Sequence, residues 1–345
     1  MEDSAREAQF NIESTVQQVL NSIERDRERE IISRRFGLFD RRETLEQIGE
    51  LLGITRERVR QLEKSIITKL KISAQNDMAV INEVEAVLAK HLKDMGKVAR
   101  VSEVSARLSK DNSKIDQARL SFLAQLSPGI AVIEDNDNFF HAVALATEHS
   151  EKAVMQQVNK IIDTISQMGA PADIAEVAKN LGAKDAKSTE ALASISKNLA
   201  HLHGRWGLTK WPMVNPKNIR DKIYVILHEA KKPMHFSEIS KSIKDSDFKR
   251  KDVTTQAIHN ELIKDKRFVL IGRGIYALKE WGYKKGTVAD VIAEVLRKEG
   301  GPLHRDEIVR RVLKSRQVKE TTILLNLQGK PQFKRVAKAT YELAE

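Results

Sequence analysis

The sequence predicts a mainly α protein, a helix-turn-helix domain followed by four small winged-helix-type units with short β-hairpins. Three observations lead there. Apolar residues between 44 and 70 recur at helical spacing on both sides of a single glycine. A motif recurs at intervals of about 60 to 70 residues after residue 76, and each strong copy ends in two apolar runs separated by turn residues.

Thr44 to Leu52 (TLEQIGELL) places Leu45, Ile48 and Leu52 on one helical stripe, and Gly53 ends it. Thr55 is placed to cap a second helix, RERVRQLEKSIITKL, in which Val59, Leu62, Ile66 and Leu70 face inward. Two short helices around such a turn make a helix-turn-helix. The second helix then presents Arg56, Glu57, Arg60 and Gln61 outward at its N-terminal end, the end that enters the major groove in this motif. Arg offers two donors to guanine acceptors and Glu accepts from cytosine, although the same spacings also make ordinary surface ion pairs.

An internal repeat organises the chain after residue 76. PMHFSEI at 233–239 returns as PLHRDEI at 302–308, and FVLIGRGIYAL at 268–278 returns as FKRVAKATYEL at 333–343. Weaker echoes are PADIAEV at 171–177 and VARVSEV at 98–104, with Glu103, Glu176, Glu238 and Glu307 in register. The expected domains are 1–75, 80–147, 153–212, 219–281 and 287–344, with 211–218 (WPMVNPKN) as a linker.

In the unit 219–281, Ile223, Val225, Ile226 and Leu227 begin a helix, Met234 to Phe236 are extended, and Ser237 caps a helix carrying Ile239 and Ile243. A third helix comes next, and Phe268–Ile271 and Ile275–Leu278 form a hairpin through Gly272-Arg273-Gly274, whose glycines permit positive φ. If Val253, Ala257 and Leu262 face inward, then Thr255, Gln256, His259, Asn260 and Lys264 face outward as groove donors, with Arg273 on the wing tip. The unit 287–344 keeps Lys338 at the wing but puts Leu324 and Leu325 where His259 and Asn260 stand. The first unit's hairpin has an acidic tip, 134–138 (EDNDN), that phosphate would repel, so the units 80–147 and 153–212 are expected to be spacers or protein-binding units.

Charge supports that division. The chain of 345 residues carries a net +11; residues 1–75 have 14 basic and 14 acidic side chains, 76–218 have 17 of each, and 219–345 have 28 against 17. The whole excess lies in the last third, which suits a polyanion such as nucleic acid. The absence of cysteine excludes disulfides, thiolate nucleophiles and Cys-ligated zinc. No apolar run is long enough to span a bilayer, so a cytoplasmic protein without membrane contact is expected.

Residues 23–70 closely resemble region 4 of sigma-70-type RNA polymerase sigma factors; RFGL, TLEQIGELLG and TRERVRQLE occur in order. The resemblance implies base contacts from Arg56, Glu57 and Gln61, phosphate contacts from Thr44, Leu45 and Arg60, and a surface for the β-flap of RNA polymerase core before Phe36, around Val16, Val19, Leu20 and Ile23. The basic tail usual after the motif is missing, and Phe10 is the only aromatic ahead of Phe36, so the chain looks unable to melt a promoter alone. Residues 219–344 resemble the HARE-type helix-turn-helix domain through KKPMHFSEI and RFVLIGRGIYAL, which implies interaction with DNA or polymerase.

Catalysis finds no support. His201 and His203 lack further ligands for a metal. Asp221 with Glu229-Ala230-Lys231 only faintly suggests a nuclease motif, and no nucleophile, base and orienter stand together. The expectation is a non-enzymatic DNA-binding transcription regulator in a bacterial cytoplasm, bound to double-stranded DNA and RNA polymerase core, without cofactor or metal. The alternative is an interaction module that docks on polymerase through residues 10–40, or serves a restriction or defence system.

Overall fold

The computed structural model describes residues 10–76, 78–146, 150–183, 185–248, 250, 252–283, 286–316 and 318–344. The chain divides into two compact units, Met1–Lys210 and Trp211–Glu345. The described residues are mainly helical, with four small antiparallel sheets of three strands.

Among the described residues, four helices come first: α1 (Ile12–Asn21), α2 (Asp26–Phe36), α3 (Leu45–Leu52) and α4 (Arg56–Gln75). Thr44 caps α3 through a reciprocal capping box with Gln47, Gly53 ends it in the left-handed region, and Thr55 caps α4. Ile31, Ile48 and Val59 form the small core of this helix-turn-helix, with Leu45, Leu52, Ile54 and Leu62 packed around it. The turn is tight because Gly49 has no side chain: a Cβ there would stand 2.7 Å from the Ile54 carbonyl oxygen.

The first repeat is α5 (Ala79–Asp94), β1 (Val98–Arg100), α6 (Val101–Leu108), α7 (Lys114–Leu126), β2 (Ile130–Ile133) and β3 (Ala142–Leu145). The second is α8 (Glu151–Met168), β4 (Ala172–Asp173), α9 (Ile174–Leu181), α10 (Ala186–Ser194), β5 (Leu199–Leu202) and β6 (Arg205–Leu208). In each, the short first strand pairs with the last strand of the hairpin, the winged-helix connectivity.

The helix-turn-helix is not separate from the first repeat. Val16, Val19, Leu20, Ile23 and Leu38 share one core with Ile81, Leu88, Leu120, Phe122 and Leu145. Phe36 and Phe122 meet with ring centroids 5.1 Å apart. Arg119, only 8% exposed, donates to the Leu38 carbonyl at 2.7 Å and to Glu13 at 3.0 Å. The second repeat docks on the first in turn. Arg100 donates to the Ser194 carbonyl and lies 3.8 Å from the centre of the Phe140 ring. Lys197 binds Asp135 at 2.9 Å, which holds that carboxyl below its ordinary pKa. The acidic hairpin tip is therefore a contact between repeats. A Cβ on Gly96 would stand 2.9 Å from the Ala191 Cβ and 2.8 Å from the Lys187 carbonyl oxygen, so glycine allows α10 to approach.

Trp211–Glu345 holds two more repeats. The third is α11 (Ile219–Ala230), β7 (Met234–His235), α12 (Phe236–Asp245), α13 (Thr255–Lys264), β8 (Phe268–Gly272) and β9 (Ile275–Leu278); the fourth is α14 (Val288–Glu299), β10 (Leu303–His304), α15 (Arg305–Ser315), α16 (Glu320–Gly329), β11 (Phe333–Ala337) and β12 (Thr340–Leu343). Arg316 links them, donating to the carbonyls of Leu270 and Gly286. The four registered glutamates all occupy the third position of the helix after the short strand. Glu103 and Glu238 accept from the backbone N–H of Arg100 and His235. Glu307 instead pairs with Arg310 and Arg311. Ser237 is not the cap expected for α12: His235 is, its Nδ1 accepting from the Ser237 N–H, and His304 caps α15 in the same way.

Phe122→Ala should destabilise Met1–Lys210 by about 3–5 kcal/mol, the usual cost of emptying a buried aromatic site. Because α1 and α2 share that core, urea denaturation followed by circular dichroism should show residues 1–75, made as a fragment, far less helical than in the full chain.

Candidate nucleic-acid interface

At the start of α4, Arg56, Glu57, Arg60 and Gln61 are all exposed or half-exposed, as their spacing requires once Val59 is buried. Each has a partner within the chain. Arg56 binds Glu46 of α3 at 2.8 Å, Arg60 grips both carboxylate oxygens of Glu57 at 2.6 and 2.8 Å, and Arg58 reaches Gln61 at 3.4 Å. Exposed pairs of this kind are worth only about 0–1 kcal/mol, so their groups can be redirected to another ligand at small cost. Glu46 was not singled out from the sequence, because its contact depends on the angle between α3 and α4. Thr44 spends its hydroxyl oxygen on the Gln47 N–H at 3.3 Å, while Leu45 packs on the small core.

Residues 25–71 match the family described as sigma-70, region 4.

The relatives agree with this match over a similarly short stretch. The RNA polymerase sigma factor sigB of Arabidopsis thaliana is 50% identical over 52 residues, 15% of this chain and 9% of that protein. RpoD of Helicobacter pylori is 44% identical over 63 residues, 18% and 9% of the two chains, and SigA of a Nostoc species is 41% identical over 64 residues, 18% and 16%. The chain thus spans under a fifth of the length of these relatives. The sigma-like segment comprises α2, α3 and most of α4, and the quartet lies inside it.

Two sequence expectations need correction. Val16, Val19, Leu20 and Ile23 do not form an open face for a polymerase flap; they are buried in the core shared with the first repeat. In the third repeat, Thr255 and His259 are half-buried rather than outward. The helix turns on buried Ile258 and Leu262, which brings Thr255 within 3.1 Å of Ser240 and sets His259 between the rings of Phe236 and Tyr276. Gln256, Asn260 and Lys264 are exposed, with Gln256 donating to Asn260 at 3.1 Å. Arg273 is exposed on the hairpin, where Gly274, and not Gly272, takes positive φ.

The other chemical candidates resolve into structure. Asp221 holds Arg267, which also binds Asp265, and His201 packs on Trp206. Among the described residues no group of three or more His, Cys, Asp or Glu is placed to hold a metal, and no helix is long and apolar enough to cross a membrane. Sequence reasoning missed a cleft of about 610 Å³ where loop 37–42 faces α7 and the first hairpin, lined by Arg41, Arg42, Arg100, Phe140 and His141. It is built by contacts between distant segments, so no local motif announces it. Burial keeps His141 below its ordinary pKa, and its Nε2 lies 3.0 Å from the Ser121 hydroxyl.

The Arg60 hydrogen bond, with charge from Arg60 and Arg56, holds Glu57 below the usual carboxylate range. The pair is therefore intact above the ordinary glutamate value of about 4.3 and is lost as pH falls through the lower folded value. A carbon-detected NMR titration should find Glu57 titrating below the range of an unpaired glutamate, and Arg60→Ala should return it upward.

Proposed function

We propose that this protein is a sequence-specific DNA-binding transcription factor that acts at promoters with RNA polymerase, and that it reads duplex DNA with the start of α4. The observation that carries the reading is the quartet Arg56, Glu57, Arg60 and Gln61, at the N-terminal end of the second helix of a helix-turn-helix that matches sigma-70 region 4. Arg56, Glu57 and Gln61 contact base edges, and Arg60 a phosphate. Thr44, through its hydroxyl hydrogen, and Leu45, through its backbone N–H at the start of α3, contact the neighbouring phosphate, since a helix N-terminus attracts anions.

The third repeat, read as a HARE-type unit, adds a second contact. Gln256, Asn260 and Lys264 face the groove and Arg273 a phosphate, while Thr255 and His259 hold α13 in place. The net charge of residues 219–345 makes this part the source of most of the salt-dependent affinity.

Fluorescence anisotropy on a duplex selected from a random pool tests the reading. Arg56→Ala and Glu57→Ala should each lose about 1–3 kcal/mol on the selected site and little on scrambled DNA, whereas Arg60→Ala should weaken both. Equal losses on the two duplexes for Arg56→Ala would remove base reading from the account.

Deleting residues 219–345 should flatten the dependence of affinity on salt, and Arg273→Glu should weaken binding more than Lys338→Glu. A truncated protein with the full salt slope would show the basic third to be a solvated surface.

A further inference from the structure

Set in structural register, the third helices of the four repeats differ at one outer position. Aligning them on the first residue of the hairpin, Ile130, Leu199, Phe268 and Phe333, puts Leu120, Thr189, Ile258 and Ile323 in register in the third helix. Ala124, Ala193, Leu262 and Leu327 then also coincide, and all eight residues are buried in their own repeat. The alignment is therefore the structural one. On the opposite side of that helix, the same register brings together Phe122, Ala191, Asn260 and Leu325.

In the first two repeats this outer position is already an interface. Phe122 is fully buried against Phe36 of the sigma-like segment. Ala191 is buried where α10 meets Gly96 of the preceding repeat, and the Ser194 carbonyl, one turn on, accepts from Arg100. Each of these third helices thus seats on the module before it. In the third repeat the position is exposed Asn260, a polar residue suited to a groove. In the fourth it is Leu325, 68% exposed, the most exposed large apolar side chain among the described residues.

We propose that the outer stripe of α16, Thr321, Leu325 and Gln328, is a protein-docking face, and that its occupant is an amphipathic helix bearing acidic side chains. The mode of seating follows from α7, where the residue equivalent to Leu325, Phe122, is covered by Phe36 at the end of helix α2. The sign of the partner follows from charge. Residues 287–344 carry 12 Lys and Arg against 7 Asp and Glu. Lys319 and Lys330 flank α16 at its two ends, and the adjacent hairpin bears Lys334, Arg335 and Lys338. Two copies of so basic a face repel each other, which argues against self-association; an acidic helix gains both the apolar contact and the attraction.

The docking face lies outside the DNA-reading helix and does not depend on it. The probe is a fluorescein-labelled synthetic peptide, helical by design, with leucines on one stripe and glutamates beside them; the same peptide with lysines replacing the glutamates is the control. Titrated against the full chain, the acidic peptide should bind saturably and the basic one should not. Leu325→Asp should weaken the acidic peptide at least tenfold while leaving the circular dichroism spectrum and the affinity for duplex DNA unchanged, since the side chain is exposed. Lys319→Glu with Lys330→Glu should weaken it as well. The proposal is overturned by absent or Leu325-independent peptide binding. It is equally overturned by amide shifts at 321, 325 and 328 on adding duplex DNA, or by a dimer in sedimentation that Leu325→Asp dissolves.

Discussion

Helix α7 is buried on two sides, and the first compact unit depends on it. One side closes the core of its own repeat through Leu120 and Ala124; the other receives Phe36, while Arg119 reaches across to the Leu38 carbonyl and to Glu13. A guanidinium so nearly enclosed is costly to leave without partners, and these acceptors, with Asp116 at 3.6 Å, meet that need. The sigma-like segment is thereby held at both ends, by its own small core under α3 and α4 and by a larger core borrowed from the first repeat. The exposed start of α4 is carried on a supported scaffold, the condition for side chains that must meet a duplex in fixed geometry.

That arrangement divides the four repeats by what their third helices do. Two are consumed inside the chain, which agrees with the neutral charge of residues 76–218 and with an acidic hairpin tip that ends on Lys197. The remaining two lie in the basic part of the sequence and keep the outer stripe open. One fold serves as internal fastener and as outward surface, the choice resting on a single position that reads Phe, Ala, Asn and Leu along the chain.

Much of this was legible in the sequence. The cap Thr55, the stop at Gly53 and the inward stripe Val59, Leu62, Ile66 and Leu70 are local signals, and local signals fix local structure. The repeat, with its four glutamates, was legible because each glutamate stands at the third position of a helix, where a negative charge interacts favourably with unpaired N–H groups. The cap of α12 was misassigned to Ser237 because a histidine nitrogen accepting that bond is an unusual cap. Thr255 and His259 fall outward only on a register that counts Val253 and Ala257 with Leu262 as the inward face; Val253 precedes the helix, and burial centres on Ile258 and Leu262. The covering of Val16, Val19, Leu20 and Ile23 joins segments far apart in the sequence and has no period to betray it. One sign was present all the same: α7 carries Leu120 and Phe122, two large apolar residues on opposite sides of one helix, and a helix with two apolar sides is covered on both.

Hydrogen exchange of the full chain, with and without a selected duplex, tests the central claim most directly, because it reads every third helix at once. The account predicts that DNA adds protection at 56–61 and at 255–264 with the hairpin around Arg273, while 114–126 and 186–194 are protected from the outset and do not change. Protection gained at 114–126, or confined to the hairpins of the first two repeats, would contradict it.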